Sequence, residues 1–107
     1  MIKTAATLNK KGILDFLKSH KSQLVRFQVR SIGLFGSYSR NQQKDTSDID
    51  FLVEFEQGHK TYDNFIGLAD FLEAAFGKEV ELVTRQSVSK HIWPYIEKEV
   101  EYVKISD

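Results

Sequence analysis

Asp48 and Asp50 are the residues of this chain whose type and spacing most plainly suggest chemistry. They open the stretch Ser47-Asp48-Ile49-Asp50-Phe51-Leu52-Val53-Glu54-Phe55, which reads as a strand. Side chains on a strand alternate with a period of two, so both carboxylates project from one face while Ile49, Phe51 and Val53 turn to the other, into a core. Two carboxylates side by side repel unless a positive charge lies between them. A divalent cation meets that need, and Mg²⁺ takes oxygen ligands while keeping positions open for phosphate oxygens. Shortly upstream, Gly33-Leu34-Phe35-Gly36-Ser37-Tyr38-Ser39-Arg40 reads as the end of a strand turning into a helix start. Gly36 and Ser37 could bring backbone N–H groups and a hydroxyl to the same place, and a helix start favours an anion. Acids for a metal beside donors for phosphate are what phosphoryl or nucleotidyl transfer requires.

The elements that must position these residues follow from local patterns. Residues 1 to 8 form a loose lead-in. Asn9 caps a helix whose apolar stripe is Ile13, Leu14, Phe16 and Leu17, and Leu24, Val25 and Phe27 add a short helical turn or an approach to the sheet. Lys10, Lys11, Lys18 and Lys21 lie off the stripe, as a solvated helix surface. Val29 to Phe35 is a first strand, Tyr38 to Gln42 a short helical turn, and Asp48 to Phe55 a second strand. Thr61 caps a helix carrying Phe65, Leu68, Ala69, Leu72 and Phe76, and Gly77 ends it. Glu79-Val80-Glu81-Leu82-Val83 alternates strictly and is a third strand. Pro94 suits the first turn of a last helix, Trp93 to about Val100, and Tyr102 to Ile105 forms a closing edge strand. The order predicts a small α/β (α+β) fold with a three- to four-stranded mixed sheet packed with helices.

A helical crossover of this length can set the third strand beside the second, which brings Glu81 to the face of Asp48 and Asp50. Three acids can hold two divalent ions roughly 3.5–4 Å apart, one on the attacking oxygen and one on the leaving phosphate. Glu79, on the same alternation, reads as part of a solvated sheet face.

Composition sets the outer limits. The 107 residues are enough for one domain with one core, and 41 % apolar residues with eight Phe predict a packed globule. Fifteen basic residues balance fifteen acidic ones. That zero net charge argues against stable nucleic-acid binding and points to limited solubility alone, hence to a protein partner. Without cysteine there is no disulfide framework, thiolate metal site or cysteine nucleophile. No apolar run resembles a signal peptide or a membrane span, so the expected compartment is the cytoplasm. His20, His59 and His91 lack metal-ligand spacing, and Ser37, Ser39 and Ser47 lack a His–acid arrangement for a hydrolase triad.

The ordered set Gly36-Ser37, Asp48-x-Asp50 and Glu81 within Val80-Glu81-Leu82-Val83 resembles the nucleotidyltransferase superfamily of the DNA polymerase beta type. In size and in the sequence around Gly36 and Asp48 the chain looks like the minimal nucleotidyltransferase (MNT) antitoxins paired with HEPN-domain toxins in prokaryotes. The resemblance spans roughly residues 12 to 105 and treats residues 1–107 as a single minimal nucleotidyltransferase domain. It implies that Asp48 and Asp50 bind Mg²⁺, which holds the triphosphate of ATP, with Gly36 and Ser37 on the phosphates. It implies that Arg40 steadies a phosphate or an acid, and that Glu81 is the third carboxylate, a metal ligand or the base for the attacking hydroxyl. The acceptor it implies is a tyrosine of the HEPN ribonuclease toxin, silenced by the added AMP in a hetero-oligomer of toxin and antitoxin. Two positions depart from the common pattern: Ser39-Arg40-Asn41 stands where Ala-Arg-Gly is usual, and Glu81 stands where Asp is usual. Asn tolerates the unusual backbone angles that the glycine would supply. Two other functions share these features: a non-catalytic antitoxin that binds the toxin directly, and nucleotidyl transfer to a small molecule.

Overall fold

The computed structural model of the chain describes residues 8–106. The lead-in expected over residues 1 to 8 lies outside these except for Leu8, which packs partly buried against the core. The elements in order are α1 (Lys10–Ser19), α2 (Lys21–Val25), β1 (Val29–Phe35), β2 (Ile49–Phe55), α3 (Tyr62–Phe76), β3 (Val80–Val83), α4 (Trp93–Glu99) and β4 (Glu101–Lys104), with a 3-10 turn at Arg85–Ser87.

Local chemistry fixes the helix ends. The Asn9 carboxamide accepts from the Gly12 N–H at 2.9 Å, and the Thr61 hydroxyl accepts from the Asn64 N–H at 3.1 Å. Each satisfies a donor that the first helical turn leaves without an intrahelical partner. Gly77 ends α3 with a left-handed φ of 67°, returning its N–H to the Glu73 carbonyl. Pro94 occupies the first turn of α4, where a missing N–H costs nothing.

The four strands form one mixed sheet in the order β3-β2-β1-β4. β1 pairs antiparallel with both β2 and β4, whereas β2 and β3 run parallel, joined through α3. The register sorts the side chains into rows, because directly opposed residues share a face. One set of rows is Val103–Ile32–Val53 and Leu34–Phe51–Leu82. All six are buried, together with Ile13 and Leu17 of α1 and Leu68, Leu72 and Phe76 of α3. Burying each such side chain stabilises the fold by about 1.5–3 kcal/mol, so this face supplies most of the driving force. The opposite set is Phe35–Asp50–Glu81, then Tyr102–Gly33–Leu52–Val83. The polar residues of interest therefore stand on the face turned away from the core.

The short helical turn expected over Tyr38 to Gln42 forms as one closed turn and goes no further: the Arg40 N–H donates to the Gly36 carbonyl at 3.2 Å and the Gln42 N–H to the Ser37 carbonyl at 2.9 Å. Asn41 stands between them at φ 57°. A left-handed residue followed by a six-to-one bond is how helices stop, so the segment ends after its first turn. No apolar stripe beyond Tyr38 exists to extend it. Tyr38 is buried, with only 2 % of its surface exposed, and so acts as packing.

Candidate active site

The β1 end and the β2 start meet directly. Phe35 pairs with Asp50, and the chain leaves β1 through Gly36, whose φ of 78° is left-handed. A Cβ at Gly36 would overlap Asp50 Oδ2 and lie 3.0 Å from its Cγ. The glycine is thus required twice, for its backbone angle and for the close approach of the Asp50 carboxylate.

On the other side of β2, Glu81 of β3 is the register partner of Asp50. In a parallel pair this places the two carboxyl groups side by side on one face of the sheet. Burial, the hydrogen bond with Glu81, the Glu81 charge and the Asp48 charge together push the Asp50 carboxyl up to about 7, while the Arg40 guanidinium acts in the opposite direction. Asp48 is exposed and stands one residue ahead of β2, beyond the part of the strand that pairing holds in place. Among the described residues, no three His, Cys, Asp or Glu side chains converge closely enough to hold a metal ion. The structure thus joins Asp50 and Glu81 and leaves Asp48 aside as a neighbouring charge.

The donor set still suits a hard divalent cation. It consists of carboxylate oxygens, and Asp50 and Glu81 stand side by side at one register position of the sheet.

The turn after β1 is held by a residue that sequence reasoning did not single out. The Gly36 N–H donates to Glu99 Oε2 at 2.7 Å, and Arg40 Nη1 donates to Glu99 Oε1 at 2.8 Å. The Ser39 hydroxyl donates to the Glu99 carbonyl at 2.5 Å. The acid that Arg40 steadies is therefore Glu99, the last residue of α4, and the Gly36 N–H is engaged by the same carboxylate. Ser37 is half-buried, and its hydroxyl has no hydrogen bond among the described residues. One signal did exist in the sequence. A carboxylate at a helix C-terminus faces the negative end of the helix dipole and calls for a cation.

Beyond Asp50 on the same face runs a cleft of about 610 Å³, floored by Leu52 and Glu54 and walled by Tyr102, Trp93 and Arg85. The Arg85 guanidinium lies over the Trp93 ring, 4.0 Å from its centroid. None of the described helices is long and apolar enough to cross a membrane.

Residues 10–106 match the nucleotidyltransferase domain family. The chain is 42 % identical over 99 residues to the protein adenylyltransferase MntA of Thermococcus cleftensis, covering 92 % of this chain and 99 % of that one. The fold is that of a solved candidate minimal nucleotidyltransferase, with a TM-score of 0.70 at 24 % identity over 89 % of this chain and 96 % of that one. A solved toxin–antitoxin complex with AMP-PNP contains a chain that is 28 % identical, with a TM-score of 0.62 over 89 % of this chain and 72 % of that one. With its mixed four-stranded sheet and its Gly36 turn packed on Asp50, this chain belongs to the nucleotidyltransferase domain family and is an enzyme of that class.

Proposed function

We propose that this chain is a Mg²⁺-dependent protein adenylyltransferase. It transfers AMP from ATP to a tyrosine hydroxyl of a HEPN-type ribonuclease toxin, and so acts as the antitoxin of that partner. The observation that carries the reading is the pairing of Asp50 with Glu81 directly beside the Gly36 turn. The likeness over nearly full length to MntA of Thermococcus cleftensis supports it, as does the related toxin–antitoxin complex with AMP-PNP.

Asp50 and Glu81 would hold Mg²⁺, with Asp48 as a third ligand after rotation of its exposed side chain. When bound, the ion neutralises triphosphate charge and polarises the reacting phosphate. The Ser37 hydroxyl and the Arg40 guanidinium bind and orient the phosphates. In the reaction a bond forms between the acceptor oxygen and the α-phosphorus, and the bond from that phosphorus to the bridging oxygen breaks. Pyrophosphate leaves and an AMP ester remains. The proton of the acceptor hydroxyl passes to the Glu81 carboxylate, on the strand that lies across β2 from the Gly36 turn. The cleft beyond Leu52 gives the acceptor segment a place on the same sheet face. Most of the rate enhancement comes from positioning and from charge already fixed in place.

The test is the intact mass of the HEPN-type partner after incubation with this chain, ATP and Mg²⁺, beside the Asp48→Asn, Asp50→Asn double variant. A gain of whole AMP units with the wild type alone is expected. A stable complex that silences the partner equally with both proteins, and without mass gain, would sink catalysis in favour of direct binding.

A further inference from the structure

Glu99 lies outside the acidic set that defines the reaction, yet it makes three hydrogen bonds to the Gly36–Arg40 turn. Its two carboxylate oxygens take the Gly36 N–H and the Arg40 guanidinium, and its main-chain carbonyl takes the Ser39 hydroxyl. The connection spans the chain from the end of α4 back to the end of β1. Its side chain is the sheltered member of the ion pair, 20 % exposed against 47 % for Arg40. Placed at the carbonyl end of α4, that carboxylate is unfavourable unless matched, and the turn supplies both the matching charge and the matching N–H.

We propose that Glu99 is the positioning residue of the nucleotide site. It fixes the backbone of the Gly36–Arg40 turn and the direction of the Arg40 side chain, and through them the binding of the ATP phosphates. This rests on the reading given above. Arg40 also bears on the charge of Asp50, so its placement matters to both halves of the site. A second arrangement would use the same contacts differently: the Glu99 carboxylate would merely fill an anion position until a phosphate displaces it. The structure favours permanent attachment, because Glu99 is fastened through its main-chain carbonyl as well as its side chain. A placeholder would need only the carboxylate.

The two arrangements give opposite results. Calorimetric ATP affinity in Mg²⁺, with no partner present, is measured for the wild type, Glu99→Gln and Glu99→Ala, alongside KM and kcat for AMP transfer. Glu99→Gln keeps an oxygen for the Gly36 N–H and loses the charge for Arg40. Glu99→Ala loses both. Positioning predicts ATP binding weakened by about tenfold in Glu99→Ala, the scale of one lost charged hydrogen bond, and by less in Glu99→Gln. KM for ATP should rise in parallel, with kcat within about twofold. Arg40→Ala should cost less on the Glu99→Ala background than on the wild type. Tighter ATP binding by Glu99→Ala would overturn the proposal in favour of a placeholder. Unchanged KM with a lowered melting temperature would overturn it in favour of a purely structural role, and Glu99→Gln, nearly isosteric, keeps the test open where Glu99→Ala fails to fold. A wild type that binds ATP but transfers no AMP would defeat the adenylyltransferase reading while the affinities still decide the role of Glu99. A wild type that binds no ATP would defeat both.

Discussion

Gly36→Ala should separate two demands that meet at one atom. The first is backbone angle: at φ 78° an alanine costs about 1–2 kcal/mol relative to glycine. The second is space, since the new Cβ overlaps Asp50 Oδ2 and forces that carboxyl off its place beside Glu81. A side chain driven off its rotamer costs about 0.5–1.5 kcal/mol more. The sum, about 1.5–3.5 kcal/mol, corresponds to a melting temperature lower by roughly 6–28 °C in a domain of this size. Gly77→Ala is the control. It sits at φ 67° with nothing within 4 Å of the added Cβ, so it carries the angular cost alone. Thermal unfolding followed by circular dichroism measures both variants. AMP transfer is then assayed below the melting temperature of each. Displacing Asp50 by about 1 Å should lower transfer by about a hundredfold in Gly36→Ala, while Gly77→Ala retains it. Equal stability loss in the two variants, with transfer preserved in Gly36→Ala, would refute the reasoning that the Asp50 carboxylate is what excludes a side chain at Gly36.

Three further outcomes are expected. Asp50 holds its proton to about 7 in the folded chain against 3.8 ordinarily, so the folded state binds the extra proton and the stability this confers is lost as pH rises from 3.8 through 7. In EDTA, Asp50→Asn should therefore stabilise the protein at pH 8, by about 1–2 kcal/mol once solvent screening of this half-buried site is allowed for, and flatten the rise in stability from pH 8 to 5; denaturant titrations across that range measure it. Leu72→Ala, at a fully buried position of α3, should cost about 2–5 kcal/mol in urea unfolding. Thr61→Ala removes the acceptor for the Asn64 N–H and should cost about 1 kcal/mol, read from the same titration.

What could be read from the sequence was what neighbouring residues decide between themselves. Asn9, Thr61, Gly77 and Pro94 mark helix ends through bonds or angles formed within a few positions, and each does so in the structure. The alternation through Ile49, Phe51 and Val53 fixed which face of β2 is buried, and hence which face bears Asp50. The pairing of Asp50 with Glu81 followed from a crossover long enough for a helix. Asn41 took the left-handed angle that its side chain tolerates where glycine is usual. Other features depend on contacts that local pattern does not encode. Tyr38 to Gln42 stops after one turn because nothing apolar extends it. Asp48 escapes the strand because pairing begins at Ile49. The Glu99 clamp was hidden because its partners lie some sixty residues away, and a Glu-Lys-Glu run at a helix end looks like an ordinary solvated surface.

The position of β1 bears on how the molecule is made. β1 is an interior strand, but one of its edges is covered by β4, which leaves the ribosome after the other three strands. Until Glu101–Lys104 emerge, β1 presents an open row of backbone donors and acceptors to the cell. Glu99 arrives in the same short stretch and closes the Gly36 turn. Completion of the sheet and completion of the turn thus coincide. A nascent chain stalled before residue 99 would carry Asp50 and Glu81 without the contacts that hold the turn beside them. Such contacts, far apart in sequence, form slowly, and a ribosome-bound chain of that length should be both inactive and prone to strand pairing with its neighbours.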